Sequence, residues 1–414
     1  MLEAYRGIAP DSILREIAIL AEALQGRSLQ HVNSTRIGGG VAELLTRLVP
    51  FTESLGIRTA WDVIEGNTGF FEVTKAMHNA LQGADIEISH GDRQLYLQCL
   101  QENAQRLSLE ADVVIVHDPQ PAYLVDYCSA DRRHLVWRCH IDLSKPNDDV
   151  WHFVRQAVSQ YAMAVFHVPQ FAQRLSIPQV LIAPSIDPLS AKNRHLSEEE
   201  ITAVTDRFGI DRHRPLLVQI SRFDHFKDPL GVIAAYRLVR ENSDCQLVLA
   251  GGTATDDPEG QQVLADVQEA ATGNPDIFIL SLPPNSDHEI NALQRAATVI
   301  IQKSTREGFG LTVTEGMWKG KPVIGGAVGG LPSQIIHGET GFLVHSVEGA
   351  AFRLRYFLSH PRAAERMGAQ GREHVRRHFL NTRHVRDYLM LMLIVINGCP
   401  TKPILLPESA WKPA

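Results

Sequence analysis

Short apolar runs rich in β-branched residues alternate with stretches of helical periodicity along almost the whole chain. Continuous apolar runs of this kind are typical of parallel strands covered on both faces, and the helical stretches between them supply the crossovers. The pattern therefore predicts an α/β protein with parallel sheets. The predicted strands are Leu29–Val32, Ile57–Val63, Val113–Val116, Leu135–Cys139, Ala164–His167, Val180–Ala183, Leu216–Ile220, Gln246–Ala250, Ile277–Leu280, Thr298–Gln302, Pro322–Ile324 and Gly341–Val344.

This number of strands is larger than one open sheet usually contains, and we therefore predict two sheets in two domains. The break falls in the Pro-rich stretch Ala183–Pro188, after which Ser197 and Glu200 fit a capping box that opens a helix. A first domain is thus expected to end near residue 187 and a second to begin near residue 196. Two α/β domains that face each other would bind ligands in a cleft at the carboxyl ends of their strands.

Composition and charge narrow the class of protein. The 414 residues allow two or three domains, and 44% apolar and 21% charged residues are ordinary for a globular protein. A net charge of −7 gives no general attraction for nucleic acid or anionic lipid, so phosphate binding requires a local site. Five scattered cysteines without a CxxC pair argue against a disulfide framework and fit a reducing cytosol. The longest apolar run, Leu389–Ile396, is far shorter than the ~20 residues of a membrane span, so we expect a cytoplasmic protein.

Two glycine-rich segments precede predicted helices. Glycine lets the backbone approach a ligand closely, and the start of a helix offers free N–H groups and a positive dipole to phosphate. The first segment is neither a Walker A loop nor GxGxxG, and a glycine-rich turn before a helix explains it equally well. The segments are Gly38, Gly39 and Gly40, and Gly308, Phe309 and Gly310, the last before a helix predicted to begin near Leu311.

Two cations, Arg222 and Lys227, lie on the loop that leaves the predicted strand Leu216–Ile220. They could converge on a diphosphate, the arginine through its planar fork and the lysine as a point charge. The alternative is a solvated loop in which Lys227 pairs with Asp224 or Asp228.

Two carboxylates, Glu307 and Glu315, flank the second glycine-rich segment. Each could bind sugar hydroxyls, and a general acid and base pair is also open. An acidic residue in the first turn that interacts with the helix dipole explains Glu315 as well.

Histidine and aspartate follow two predicted strands of the first domain, as His117-Asp118 and as His140 with Asp142. A metal site could be built from such groups, but no HxxxH or HExxH spacing supports one. A lone histidine is more often structural, and no GxSxG elbow is present.

Taken together and in this order, these motifs resemble the retaining GT-B glycosyltransferases of the family 4 type. The resemblance spans essentially the whole chain and rests on Glu307–Glu315, the Arg222 and Lys227 pair, His117-Asp118-Pro119 and GGAVGGLPSQIIHGETGFLV at 325–344. The first half, with HVNST at 31–35, FFEVTK at 70–75 and WRCHIDLS at 137–144, is similar to trehalose synthases and to retaining trehalose phosphorylases. One departure is the Ser333-Gln334 pair, which stands where the family usually has an acidic residue.

The resemblance implies a GT-B fold, in which two Rossmann-like domains with parallel sheets face a central cleft. Residues 1–187 would form the acceptor-binding domain and residues 188–381 the nucleotide-sugar domain. The helical pattern Thr382–Ile396 resembles the terminal helix that crosses back, so 382–414 would join the first domain.

The resemblance also implies a role for each motif residue. Arg222 and Lys227 would hold the donor diphosphate, aided by N–H groups of the two glycine-rich segments. Glu315 would bind the ribose and Glu307 the donor hexose, while His140 would contact the donor sugar and Asp118 would orient the acceptor. The acceptor-side residues would be Trp61, Lys75, His78 and Asn79.

The implied reaction transfers glucose from ADP-, UDP- or GDP-glucose to a small sugar, with glucose favoured, and yields trehalose by front-face displacement. It requires no bound cofactor or catalytic metal, with Mg²⁺ at most a stimulant. Its partners are small molecules, neither nucleic acid nor membrane, and it allows a homodimer. Three alternatives remain: a trehalose phosphorylase that uses glucose 1-phosphate, a nucleotide-sugar epimerase on the same fold, and a sugar-nucleotide binding protein without turnover.

Overall fold

Two parallel sheets organise the chain. The structure is a computed structural model that describes residues 1–36, 39–252 and 258–398. Within these ranges it has twelve strands in two six-stranded sheets, and each strand pairs in parallel with its neighbours. The chain divides into two compact units: unit 1 comprises Met1–Pro184 and the chain from Asn381 on, and unit 2 comprises Ser185–Leu380. The predicted α/β class with two parallel sheets is confirmed.

Unit 1 contains the first sheet, with strand order β2-β1-β3-β4-β5-β6. An apolar core packs against the sheet, which also buries the polar side chains of His31, His117 and Arg138, and all five residues of β3 are buried. Its elements before residue 185 are α1 Asp11–Ala23, β1 Ser28–Asn33, α2 Gly39–Ser54, β2 Arg58–Val63, α3 Thr68–Leu81, α4 His90–Arg106, β3 Val113–His117, α5 Leu124–Tyr127, β4 Leu135–Arg138, α6 Asp148–Val158, β5 Met163–Phe166 and β6 Gln179–Leu181.

Unit 2 contains the second sheet, with strand order β12-β11-β10-β7-β8-β9. Its first helix starts at the predicted capping box, in which Ser197 and Glu200 bond each other's backbone N–H groups. Its elements are α7 Glu198–Arg207, β7 Leu216–Ile220, α8 Pro229–Arg240, β8 Gln246–Gly251, α9 Pro258–Ala271, β9 Ile277–Ser281, α10 Asp287–Ala296, β10 Val299–Gln302, α11 Leu311–Trp318, β11 Val323–Gly326, β12 Phe342–Val344, α12 Val347–Ser359 and α13 Pro361–His378.

The last helix, α14 (Asn381–Ile396), returns to unit 1 and packs against α1 and α2. Its inner face is buried, and it also contributes polar side chains to the interior, among them Arg383, His384 and Tyr388. The sequence prediction of a helix over Thr382–Ile396 is therefore confirmed to within one residue.

Parallel register brings the strand ends of each sheet to one edge. In unit 1, His31 of β1 is in register with Ile115 of β3, and His117 of β3 with Arg138 of β4. In unit 2, Leu217 of β7 is in register with Val299 of β10. Because parallel strands end on the same side, loops that are distant in sequence meet at these edges.

Four cysteines are free thiols, in line with the predicted lack of a disulfide framework, and Cys399 lies outside the described residues. None of the helices in the described ranges is long and apolar enough to cross a membrane.

Candidate functional site

Lys227 and Glu307, 80 residues apart in sequence, form a partly buried ion pair in unit 2. The Lys227 Nζ atom lies 2.8 Å from each carboxylate oxygen of Glu307. The Ser304 hydroxyl donates a further bond of 3.1 Å to Glu307 Oε2. With side chains only 18% and 8% exposed, the two groups are poorly solvated, so their mutual attraction is stronger than that of a surface pair.

The alternative in which Lys227 pairs with Asp224 or Asp228 is wrong. Asp224 caps a short turn by accepting from the Phe226 N–H at 2.7 Å, and Asp228 accepts from the Gly231 N–H at 3.0 Å. Asp228 also pairs with Lys303, so both carboxylates are already occupied. Local loop geometry therefore turns Lys227 away from its neighbours in sequence and toward Glu307.

Sheet order explains why these residues meet. β7 and β10 are neighbours, so the loop after β7 and the loop after β10 leave the sheet side by side. The two loops are joined by a bond of 2.8 Å from the Thr305 N–H to the Phe226 carbonyl. The Gln219 side chain of β7 also donates to the Lys227 carbonyl at 2.8 Å. The backbone on both sides of the ion pair is thereby fixed.

Arg222 differs from Lys227 in its surroundings. Its side chain is 64% exposed, and its Nη2 lies 3.3 Å from Asp224 Oδ2. The two cations therefore hold different carboxylates, and the exposed guanidinium keeps the rotational freedom to reach a ligand.

The glycine-rich loop before α11 is held by close backbone packing. Gly310 has φ 85° and is the residue that precedes the helix, and a Cβ there would lie 2.7 Å from the Leu331 side chain. Gly329 has φ 54°, and a Cβ there would lie 1.6 Å from the Glu307 carbonyl oxygen, so only glycine fits. No side chain of the described residues caps α11. The first N–H groups of this helix, beginning at Leu311 as predicted, are therefore available to an anion.

Gln334 gives a structural reason for the departure from the family pattern. Its fully buried amide nitrogen donates to the Phe309 carbonyl, and its amide oxygen accepts from the Thr314 hydroxyl. A carboxylate could not donate to that carbonyl. The glutamine therefore ties the loop at Gly308–Gly310 to the helix that follows it.

Glu315 lies one turn into α11 and is 6% exposed. The Gln294 amide donates to its Oε2 at 3.2 Å, and the Lys192 ammonium lies 4.0 Å from its Oε1. Nearby, Lys319 donates to Asn193 Oδ1 at 2.9 Å, and burial lowers the pKa of Lys319 to about 7. A buried carboxylate with polar partners is more than a surface charge that complements the helix dipole. Periodicity gave no signal for Lys192 or Gln294, since distant elements bring them to Glu315, whereas Lys319 follows Glu315 by one turn at the end of α11.

In unit 1, Asp118 and His140 are joined directly. Asp118 Oδ1 accepts from the His140 backbone N–H at 2.6 Å, and the Asp118 N–H donates to the Arg138 carbonyl at 2.7 Å. Asp118 has φ 67°, a left-handed conformation that is uncommon for residues other than glycine and is often found at functional sites. Burial raises the pKa of the Asp118 carboxyl to about 7, so it exchanges a proton near neutral pH.

Three imidazoles, His31, His117 and His140, form what we call the histidine chain. His31 Nδ1 lies 2.9 Å from His117 Nε2, and His117 Nδ1 lies 2.9 Å from His140 Nε2. Burial, aided by the charge of Arg138, lowers the pKa of His31 to about 3. Burial likewise holds the pKa of His117 and His140 well below the usual value, so all three rings are neutral at pH 7. Sequence reasoning named His117 and His140 but missed their connection to His31, which enters only as the first residue of the HVNST motif.

The other sequence-predicted residues of unit 1 lie on separate elements. Trp61, on β2, donates from Nε1 to Asn33 Oδ1 at 2.7 Å, and the Arg36 guanidinium lies 5.0 Å from its ring. The remaining acceptor-side candidates occupy one turn of α3: Lys75 and Asn79 are exposed, and burial lowers the pKa of His78.

The first glycine-rich segment is described only in part. Gly38 lies outside the described residues, Gly39 begins α2, and Gly40 has open space where a Cβ would stand. In all the described ranges, no group of three or more His, Cys, Asp or Glu side chains is arranged to hold a metal ion.

Comparison with known proteins links these features to a family. A model described as "Trehalose synthase, N-terminal domain" matches residues 31–173, and one described as "Glycosyl transferases group 1" matches residues 201–374. A trehalose synthase of Pyrococcus horikoshii is 46% identical over 401 residues, which cover 94% of this chain and 95% of that protein. A trehalose phosphorylase of Pleurotus sajor-caju is 25% identical over 478 residues, which cover 99% of this chain and 63% of that protein.

Solved structures show the same architecture. The crystal structure of an α,α-trehalose-phosphate synthase (UDP-forming) from Burkholderia xenovorans, in complex with glucose-6-phosphate, superposes with a TM-score of 0.69. The match covers 89% of this chain and 100% of that structure at 14% sequence identity, which shows a shared fold.

The two parallel sheets and the group 1 match define a glycosyltransferase with the GT-B fold, as the sequence motifs predict. The chain belongs to the trehalose synthase family, because a trehalose synthase matches it at 46% identity over nearly its full length. It is an enzyme, a glucosyltransferase of trehalose metabolism.

Proposed function

We propose that this enzyme transfers glucose from an NDP-glucose donor to free glucose and forms trehalose with retained configuration at the anomeric carbon. The observation that carries the proposal is the Lys227–Glu307 pair at the start of α11. It places a cation, a carboxylate and free helix N–H groups at one strand edge. These are the groups that a sugar diphosphate needs, since the phosphates require positive charge and the hexose requires hydroxyl acceptors.

Donor binding would exchange partners within this site. The Lys227 ammonium would turn from Glu307 to the diphosphate, and the exposed Arg222 would add a second cation. Glu307, then free of Lys227 but still bonded to Ser304, would accept from the hydroxyls of the donor hexose. Glu315 would accept from the ribose hydroxyls, while Gly308, Phe309, Gly310 and Leu311 would supply backbone contacts.

The transfer itself would be a front-face displacement. The bond between the anomeric carbon and the phosphate oxygen breaks while the acceptor hydroxyl oxygen bonds to the same face of that carbon. The hydroxyl proton passes to the leaving phosphate oxygen, which gives NDP and trehalose. Lys227, Arg222 and the helix N–H groups stabilise the charge that grows on the leaving phosphate. Because these cations are side chains, the proposal requires no resident metal and leaves Mg²⁺ as at most a stimulant.

The acceptor would bind to residues of unit 1. The Asp118 carboxyl and the His140 ring follow adjacent strands and are joined by a hydrogen bond. They would orient the acceptor hydroxyl and the donor hexose, respectively. Trp61, Lys75, His78 and Asn79 are proposed to complete the acceptor side, the tryptophan as an apolar platform for a sugar ring.

The test is incubation with ADP-, UDP- and GDP-glucose, each with and without glucose. We expect NDP and α,α-linked disaccharide in equal amounts and only when the acceptor is present, with NMR reading the linkage. Isomerised donor sugar without acceptor would instead identify an epimerase, and donor binding without any product would identify a binding protein.

A trehalose phosphorylase is a second candidate because a trehalose phosphorylase aligns with nearly the whole chain. Lys227 and Arg222 would then hold free phosphate in place of the β-phosphate of a nucleotide. Incubation with trehalose and inorganic phosphate separates the two functions. Formation of glucose 1-phosphate, together with inactivity toward every NDP-glucose, would establish the phosphorylase.

A further inference from the structure

Two members of the histidine chain, His31 and His117, have no role in the displacement described above, although both are hydrogen-bonded in series to His140. His31 and His117 are 0% and 1% exposed, whereas His140, at the strand edge, is only partly buried. The His31 ring also packs against Tyr388 of α14, with 5.8 Å between ring centroids. The chain therefore runs from the interior of unit 1 to the ring that is proposed to contact the donor sugar.

Neutral imidazole has one N–H and one lone pair, so a hydrogen-bonded chain of three neutral rings has only two consistent arrangements. In the outward arrangement, His31 Nδ1–H donates to His117 Nε2, and His117 Nδ1–H donates to His140 Nε2. His140 then carries its proton on Nδ1. In the inward arrangement every bond is reversed, and His140 carries its proton on Nε2.

The two arrangements differ at the buried end. His31 Nε2 is buried and has no hydrogen-bond partner among the described residues. In the inward arrangement it would be a buried N–H without an acceptor, which is rare in proteins. In the outward arrangement it is a bare lone pair.

Arg138 strengthens this preference. The guanidinium is fully buried, bonds only to the Ile182 carbonyl at 2.8 Å, and leaves Nε and Nη1 without an acceptor in the described part of the chain. Its charge acts on His31, whose pKa it helps to lower. A nearby cation favours a lone pair over another N–H, so the outward arrangement is electrostatically preferred.

We propose that His31 and His117 are positioning residues that hold His140 in its Nδ1–H tautomer. His140 Nδ1 has no hydrogen-bond partner among the described residues, so its N–H is available to a ligand. The ring then presents a hydrogen-bond donor and recognises an acceptor oxygen of the sugar. In the other tautomer the same atom would accept a hydrogen bond. This inference rests on the proposed function for the ligand that His140 meets, but not for the tautomer itself.

The tautomer is measured directly on the full chain without substrate. Protein with ¹⁵N-labelled histidine is recorded at pH 7 by long-range ¹H–¹⁵N correlation, which distinguishes protonated from bare ring nitrogens. The His140 signals are those that a His140→Gln variant lacks. We expect a protonated Nδ1 and a bare Nε2, and a protonated Nε2 on His140 would overturn the proposal.

Variants at His31 connect the tautomer to turnover. Outer hydrogen-bond partners of metal-bound imidazoles are worth roughly 10- to 100-fold, and for His31→Phe we expect about a tenfold loss of kcat with the donor KM little changed. The His140 spectrum should then show both tautomers. His31→Asn places an amide N–H near the position of Nδ1, so it should restore the single tautomer and most of kcat. His152→Phe, at an exposed histidine of α6 in the same unit, is the matched control and should change neither.

An unchanged His140 tautomer and an unchanged kcat in folded His31→Phe would also overturn the proposal. If His31→Phe does not fold, the wild-type spectrum still decides between the two arrangements. If the enzyme forms no disaccharide from any donor but His140 carries the Nδ1 proton, the proposed function fails and the tautomer assignment stands.

Discussion

The two candidate sites occupy equivalent places in their sheets but differ in the charge of their side chains. Each lies where neighbouring parallel strands end, after β7 and β10 in unit 2 and after β3 and β4 in unit 1. The unit 2 site is ionic: Lys227 forms an ion pair with Glu307, and Lys303 forms one with Asp228. The unit 1 site holds three uncharged imidazoles and a carboxyl whose pKa burial raises to about 7, beside the buried guanidinium of Arg138. The carboxyl edge of a parallel sheet can therefore hold either ion pairs that exchange partners or groups kept in one protonation state, depending on how deeply their side chains are buried.

This contrast matches the two halves of the proposed reaction. A diphosphate brings negative charge, and a site of exchangeable ion pairs can accept it without leaving a cation unpaired. A neutral sugar brings hydroxyls, and the protein orients them through hydrogen-bond donors and acceptors whose protonation states are fixed.

Removal of Lys227 should have the largest effect on activity. Lys227→Ala takes away the cation assigned to the leaving phosphate, and we expect kcat to fall by ~10²-fold or more. NDP release in steady state measures it. Arg366→Ala, at an exposed arginine of α13, is the matched loss of positive charge in unit 2 and should retain activity. Near-normal turnover of the Lys227 variant would refute the role of Lys227 at the leaving phosphate, and the ion pair of unit 2 would then have no part in the reaction.

Glu307→Gln should have the next largest effect. The amide keeps the shape of the side chain but loses the charge that holds Lys227 and binds sugar hydroxyls. We expect kcat/KM for the donor to fall by about tenfold or more, in line with the loss of charge-assisted hydrogen bonds. No covalent sugar should accumulate, and intact-mass spectrometry checks this. A trapped glycosyl adduct in a Glu307 variant would show that a double displacement operates in place of front-face attack.

The sequence predicts the strands well because the run of apolar residues that marks a buried strand is local in sequence. The apolar run Leu216–Ile220 is predicted and observed with identical bounds, and the helix predicted near Leu311 begins there. Glycines and a capping box likewise mark chain turns through their own backbone preferences. Within each unit, the order of elements follows from such signals.

The sites could be predicted only in part because their contacts depend on sheet order. The Lys227–Glu307 pair forms because β7 lies beside β10, three strands later in the chain, and no periodicity encodes that adjacency. The histidine chain similarly requires β1 to lie beside β3. Motif resemblance identified the residues, whereas their partners, such as Ser304 and His31, required the folded chain.

Burial of the Asp118 carboxyl in the unit 1 site should be visible in the pH dependence of stability. Asp118 ionises near pH 3.8 when unfolded and at about 7 when folded, so the folded chain binds the extra proton between these values. Its contribution to the free energy of unfolding is therefore present at low pH and is lost as pH rises through this window. Asp118→Asn should gain stability relative to wild type from about pH 4 to about pH 7 in urea unfolding followed by tryptophan fluorescence. Asp206→Asn, at an exposed aspartate of α7, is the control, and equal slopes for Asp118→Asn and wild type would contradict burial of the carboxyl.

Lys319 is an exception to the contrast between the two units, because it is a buried and partly neutral group in the unit that holds the ion pairs. Burial lowers its pKa from 10.5 to about 7, so between these values the unfolded chain binds more protons than the folded chain. The free energy of unfolding should therefore rise with pH from about 7 to about 9. Burial also lowers the pKa of Lys321 to about 8, so Lys319→Met should reduce that rise without abolishing it. The methionine leaves Asn193 Oδ1 without its lysine donor, which costs about 1–3 kcal/mol at every pH, so the slope and not the absolute stability is diagnostic. Lys145→Met, at an exposed lysine of unit 1, should keep the wild-type slope. A slope that Lys319→Met leaves unchanged would mean that Lys319 keeps its charge in the folded chain.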